Sequence, residues 1–212
     1  EVNKGRSAAR NFLAEQAKYQ HLLFIDCDAK VLMDNYLSEY CKNIDKQKKV
    51  ICGGLEYPPK KDLDNAFLLR WHYGIKREQR DLSHRIVKPY QSFSSFNFLI
   101  PKDVFHNIKF PKEITSYGHE DTFFGFELKK HGIEIQHINN PLMHMGLEKA
   151  DVFIQKTELS VQNLDKLVEL INDKELLKNN LKIFRYILLV KRLRLKIIFR
   201  ILFYSFKPLI IK

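Results

Sequence analysis

Leu22-Leu23-Phe24-Ile25-Asp26-Cys27-Asp28 is an apolar run that ends in two carboxylates one residue apart. A short apolar run bounded by polar residues reads as a buried strand, and here the acids fall at its carboxyl end. In α/β sheets the ligand crevice lies outside the carboxyl ends of the strands. Carboxylates placed there can hold a divalent cation and, through it, a phosphate group. Asp-x-Asp alone is also what a solvated turn or a helix N-cap looks like, so the surrounding sequence has to decide.

Working outward, small and apolar residues at Ala9, Phe12, Leu13 and Ala17 recur at helical spacing, and Gly5 sits where a turn would feed that helix. Residues 34–41 offer a second helix. Val50-Ile51-Cys52-Gly53-Gly54 reads as a short buried strand whose glycines permit close backbone approach. Residues 58–91, with Pro58-Pro59, many charges and Phe67, Trp71 and Tyr73 on a helix around Arg70, read as an insertion covering the sheet edge. A strand over 93–100 stopped by Pro101, a helical turn over 103–106, a helix over 120–131 ended by Gly132 and a strand over 133–135 complete the pattern. Helices and strands alternate, which predicts an α/β fold with a sheet flanked by helices.

A second acidic pair, Glu120-Asp121, follows Tyr117-Gly118-His119 and opens the helix that carries Phe123, Phe124 and Leu128. Acids are favoured at any helix N-terminus by the macrodipole. Here, however, Gly118 allows a ligand close to the backbone, and aromatic Tyr117 suits the face of a sugar. His144, in Pro141-Leu142-Met143-His144, follows a strand on a third segment. A lone histidine is more often hydrogen-bonded structure, yet a neutral imidazole can complete an oxygen-rich metal site that already holds a carboxylate.

Taken in order, Asn3-Lys4-Gly5-Arg6-Ser7-Ala8-Ala9-Arg10-Asn11, Phe24-Ile25-Asp26-Cys27-Asp28, Phe96-Asn97-Phe98, Gly118-His119-Glu120-Asp121-Thr122 and His144 resemble the GT-A glycosyltransferases. The likeness is greatest to the large family-2 group of bacterial sugar transferases, with a galactosyltransferase-like stretch around Glu120-Asp121. It covers residues 1 to about 148. The resemblance implies a GT-A fold and a transfer from a nucleotide-sugar donor, UDP being the expected base, to a saccharide or lipid-linked saccharide acceptor in surface-glycan synthesis.

By the same resemblance, Mn²⁺ or Mg²⁺ would be the cofactor, with Asp28, His144 and Asp26 as its ligands or near neighbours. Gly5, Arg6, Arg10, Asp26, Asp28, Asn97 and Gly118 would line the nucleotide-sugar site. Asp121 would be the general base and Glu120 its orienting partner, giving an inverting displacement. Members of the family usually begin with strand-helix-strand units that cradle the nucleobase. The resemblance therefore implies that about half of that lobe is not in this sequence, and the alternative reading is a catalytically inactive, truncated remnant serving as a membrane-bound scaffold.

Charge divides the chain. The net charge is +11, but residues 181–212 hold nine Lys or Arg and no acid, which leaves about +2 for the rest. The expected organisation is a partial catalytic domain over 1–148, a helical segment over 149–180 and a basic amphipathic helical tail over 181–212. In the tail, Arg185, Arg192, Lys196, Arg200 and Lys207 fall on one stripe opposite Phe184, Leu188, Leu195, Phe199 and Leu202. That pattern suits an anionic membrane surface, while its frequent cations argue against a spanning helix. Nucleic acid is not an expected partner, because no motif supports it. Cys27, Cys41 and Cys52 match neither a zinc site nor a disulfide framework and read as reduced, mostly buried thiols. The expected location is cytoplasmic, on the inner membrane face.

Overall fold

A computed structural model describes residues 5–115 and 117–193. The first helix, α1 (Gly5–Gln16), leads to strand β1 (His21–Ile25), a short strand β2 (Ala29–Val31), helix α2 (Tyr36–Lys42) and strand β3 (Lys49–Cys52). After β4 (Leu55–Glu56) the chain makes helices α3 (Leu68–Arg77) and α4 (Leu82–Val87) before strand β5 (Asn97–Pro101) and helix α5 (Lys102–Asn107). Helix α6 (Glu120–Lys130), strands β6 (Glu134–His137) and β7 (Leu142–His144) and helices α7 (Ala150–Ile171), α8 (Lys174–Asn180) and α9 (Lys182–Arg192) follow. The fold class is the mixed α/β arrangement expected from the sequence.

The main sheet has the order β1-β5-β3-β6. β5 runs antiparallel to both neighbours, with Phe24 opposite Phe98 and Cys52 also opposite Phe98, while β3 and β6 are parallel. A second sheet, β2-β7-β4, stands beside it. Its strands are too short to signal themselves in the sequence, yet they matter most for the site. The register Ala29↔His144 ties the residue after Asp28 to His144.

One face of the main sheet carries an aromatic core. Phe98, Ile100, Val50, Phe124 and Leu128 are fully buried there. Phe24 stacks on Phe98 at 4.7 Å and Phe110 on Phe124 at 4.3 Å between ring centroids. Cutting Phe98 to alanine would cost about 3–5 kcal/mol. Helix α6 lies between this core and a second one, because Phe126 faces the opposite way, onto Ile114 from the loop before it and Leu164, Leu167, Leu177 and Phe184 from α7 to α9. A helix buried on two sides has no single apolar stripe.

Several expectations are corrected. β1 is not a fully buried strand: it pairs on one side only among the described residues, and Ile25 is 42% exposed. In α1 the buried face is Ser7, Arg10, Asn11 and Ala14, whereas Phe12 and Leu13 are exposed. Polar residues are turned inward because Asn11 hydrogen-bonds both ways with the Phe110 backbone and Arg10 reaches two carboxylates. Ladder pairing in β5 begins at Asn97, not Phe93. Of the insertion, α4 packs on the edge strand β6, while α3 packs on α7. Of the cysteines only Cys52 is buried. The helical segment over 149–180 divides at Asn172, which has a left-handed φ of 49°. Of the basic tail, α9 is described, and Lys196, Arg200, Lys207, Leu195, Phe199 and Leu202 lie outside the described residues, as do Asn3 and Lys4. Phe184 is buried against α7 and α8 rather than on a free apolar face.

Candidate active site

Asp26 directly follows β1, and its backbone N–H donates to the Phe96 carbonyl at 3.2 Å. Arg10, carried on the inward face of α1, donates from Nη2 to Asp26 Oδ1 at 2.9 Å. Its Nη1 lies 3.9 Å from Glu120 Oε1, and Arg6, one turn earlier, also pairs with that oxygen. α1 therefore clamps the two acidic pairs together from below. Burial disfavours the Arg10 charge, but Asp121 and Asp26 outweigh it and raise its pKa. Gly5, with φ of 82°, starts this helix against the Thr115 carbonyl, where a Cβ would come within 2.6 Å. Its role is to let α1 begin there.

The second pair is set by an unusual turn. Gly118 and His119 both have left-handed φ values, 100° and 73°, and a non-glycine in that region is uncommon and held there by its surroundings. α7 supplies the hold. Asn163 Nδ2 donates to the Tyr117 carbonyl at 2.9 Å, and Ser160 sits where a Gly118 Cβ would be, with Oγ 2.4 Å from that point. Burial lowers the pKa of His119.

Asp121 Oδ2 accepts the Ser95 N–H at 3.0 Å, and its other oxygen, Oδ1, is buried with no partner among the described residues. Glu120 is 4% exposed and held by the two arginines. Burial first, and then the Asp121 charge, raise its pKa despite those arginines. The two adjacent carboxylates thus differ in kind: one is tied to cations, and the other keeps a buried oxygen without a partner among the described residues.

His144 Nε2 lies 4.0 Å from Asp28 Oδ2. The imidazole is clamped between Phe96 and Tyr57, with centroids 5.0 and 5.4 Å away and rings nearly parallel. Its Nδ1 is buried without a partner among the described residues. Asp28 is fixed on its own side by Met145, whose N–H donates to the Asp28 carbonyl at 2.9 Å. Its carboxylate fills the notch at Gly146, where a Cβ would come 1.9 Å from Oδ2. One imidazole and one carboxylate are a donor set suited to Mn²⁺ or Mg²⁺, and the rigid clamp that holds Nε2 toward Asp28 fits that use. No group of three His, Cys, Asp or Glu side chains gathers for a metal among the described residues. Such a cation would have to complete its shell from ligand oxygens and water.

Arg6, Asp26, Gly118, Glu120, Asp121 and His144 line a cleft of about 270 Å³, while Gly5, Arg10 and Asp28 stand behind its wall. Asn97 does not line it. Its Oδ1 accepts from the Tyr36 and Tyr40 hydroxyls at 2.7 and 2.6 Å, and its Nδ2 donates to the Gly54 and Asn140 carbonyls at 2.8 and 2.9 Å. A buried amide with both ends used is an architectural post that ties β5 to α2 and to the β3–β4 turn. Sequence reasoning missed Arg77, Arg80 and Arg85 and the Tyr57 clamp, all from the β4 region and the insertion that follows. Read as a charged cover, that segment gave no sign that its arginines line the cleft.

A mixed sheet whose strand ends bring acids from separate segments into one cleft is the plan of an α/β enzyme site. The chain belongs to glycosyl transferase family 2, whose model matches residues 1–108 of the 212. Two solved structures resemble it in part. The crystal structure of S. aureus TarS 1-349 has a TM-score of 0.47 and 19% identity, over 68% of this chain and 42% of that one. S. aureus TarS 1-349 in complex with UDP has a TM-score of 0.46 and 17% identity, over 74% of this chain and 44% of the other. The chain thus spans less than half the length of either. No curated protein matches the chain.

Proposed function

We propose that this cleft transfers a sugar from a nucleoside-diphosphate donor, with UDP as the expected nucleotide, to a hydroxyl of a saccharide or lipid-linked saccharide in surface-glycan synthesis. The observation that carries the reading is the pairing, in one cleft, of Asp121, which has one buried oxygen without a partner, with the clamped His144 beside Asp28. A sugar hydroxyl is a weak nucleophile and needs a carboxylate within hydrogen-bond reach. Asp121 Oδ1 supplies one, while Ser95 N–H fixes the other oxygen.

The acceptor oxygen forms a bond to the anomeric carbon as the bond from that carbon to the phosphate oxygen breaks. The proton passes to Asp121, and the electron pair leaves with the nucleoside diphosphate. A single displacement inverts the anomeric centre. Asp28 and His144 are the residues that would hold Mn²⁺ or Mg²⁺, which when bound supplies Lewis-acid stabilisation of the leaving diphosphate. Asp26, held by Arg10, would contact the ribose or the metal's water shell. Glu120, ion-paired to Arg6 and Arg10, orients Asp121 and the acceptor.

The test is turnover of UDP-sugars by the intact protein with Mn²⁺, compared with Asp121→Asn. Sugar release or transfer is expected from the parent and to fall by about 10²–10⁴-fold in the variant. Equal turnover in the two would remove Asp121 from the chemistry.

A further inference from the structure

The cleft holds more positive charge than its acids use. Arg6 is paired with Glu120, and Arg70, 3% exposed, is paired with Glu78 and Glu148. Arg77, Arg80 and Arg85 line the same cleft and have no carboxylate partner among the described residues.

Arg85 is the most telling of the three. It is 6% exposed, and its guanidinium is held only by neutral groups. Nη1 donates to the Cys52 carbonyl at 3.3 Å, Nη2 to the Ile138 carbonyl at 3.0 Å and Nε to the Arg80 carbonyl at 3.2 Å. The Gly54 backbone, at φ of 94°, lies over its face, where a Cβ would come 2.9 Å from Cζ. A buried cation without a counter-charge is costly unless something anionic answers it. Burial lowers the Arg85 pKa, in keeping with that cost. Arg80, held through Nη1 at 2.8 Å from His84 Nε2 and through Nε by the Arg77 carbonyl, extends the same positive wall outward, and Arg77 stands beside it, exposed.

We propose that this arginine wall binds a phosphate group carried by the acceptor, so that the sugar acceptor is a phosphorylated saccharide or a phosphodiester-linked glycan. The inference rests on the glycosyl-transfer reading above and names its acceptor class. Arginine is suited to the task, since its planar fork meets phosphate oxygens with two parallel hydrogen bonds. The location favours the acceptor over the donor diphosphate. The metal-ligating pair Asp28 and His144 takes the diphosphate, whereas the chain from α4 runs on to Ser95, whose N–H holds the base Asp121. Arg85 and Asp121 both line the cleft together with Ser92, Phe93, Ser94 and Ser95, the stretch that joins them.

The experiment uses the intact protein and the exposed double variant Arg77→Gln/Arg80→Gln. Calorimetric titration would be run with glucose 6-phosphate, with glucose and, separately, with UDP plus Mn²⁺. Glucose 6-phosphate should bind the parent more tightly than glucose does. The variant should lose about tenfold or more of that affinity, the worth of one charge-assisted hydrogen bond, and keep its affinity for UDP–Mn²⁺. Equal binding of sugar phosphate by parent and variant, or no preference for it over glucose, would overturn the proposal. Weakened UDP binding in the variant would also overturn it, by assigning these arginines to the donor. A parent that binds glucose 6-phosphate but not UDP would leave the anion site standing and overturn the donor reading instead.

Discussion

At the scale of single residues, Glu120 and Asp121 are neighbours in sequence with opposite surroundings. Glu120 is enclosed by arginines and Asp121 by one backbone N–H, so Glu120→Gln should slow transfer by about tenfold, the loss of a charge-assisted contact, against the far larger loss for Asp121→Asn. A larger loss for Glu120→Gln in steady-state turnover would reverse the two roles. His137 offers a second test, on stability. Its Nδ1 lies 3.3 Å from Arg85 Nη1, a donor, and its Nε2 3.0 Å from the Pro89 carbonyl, an acceptor, so the ring is neutral with its proton on Nε2. Burial, and then the charge of Arg85, depress its pKa from 6.5 to about 4 despite the Pro89 bond. The unfolded chain therefore binds a proton that the native state refuses, and stability present above pH 6.5 is lost as the pH falls toward 4. The loss is up to about 3 kcal/mol. Urea midpoints at pH 7 and pH 4.5 should differ less in His137→Gln than in the parent, and an unchanged difference would contradict this. The strand-end acids were legible in the sequence because an apolar run pointed at them. The neutral imidazole at His137 was not, because its state depends on Arg85, 52 positions away.

At the scale of elements, the decisive piece is the turn over residues 117–119 and the helix behind it. Helix α6 and its opening acids were readable from Gly118, Glu120 and the closing Gly132. That the turn is braced by Ser160 and Asn163 was not, since those residues come 41 and 46 positions after their partners and carry no motif. The same gap explains the misplaced face of α1: Phe12 and Leu13 look like core by type, but ion pairs to distant acids turn Arg10 inward. Gly118→Ala would meet both a left-handed φ and Ser160, a mismatch that costs more than about 1 kcal/mol. It should shift Glu120 and Asp121 and cut turnover more than it lowers the melting temperature would account for. Adding Ser160→Gly should recover part of the activity by making room. Activity in Gly118→Ala equal to the parent would show that the turn does not position the acids.

At the scale of the whole molecule, α7 to α9 join the site to the tail. The second core runs from Phe126 on α6 to Phe184 on α9, so the start of the tail is part of the catalytic body. No helix among the described residues is long and apolar enough to cross a membrane. The nine cations of residues 181–212 motivate a proposal of binding to anionic lipid, each cation near such a surface contributing on the order of 1 kcal/mol. The intact protein should sediment with anionic vesicles, less with neutral ones and less as salt rises. Binding indifferent to both lipid charge and salt would point to apolar insertion instead. The α/β class and the order of the motifs were legible because they rest on local periodicity and glycine turns. The small sheet that joins Asp28 to His144 was not, because its strands are two or three residues long. On that juxtaposition the functional reading turns, and calorimetric titration of UDP with and without Mn²⁺ into the intact protein, Asp28→Ala and His144→Ala measures it directly. Mn²⁺ should tighten UDP binding in the parent by at least about tenfold, equivalent to 1.4 kcal/mol, and in neither variant. Cation-dependent affinity equal in all three would contradict the donor site placed here.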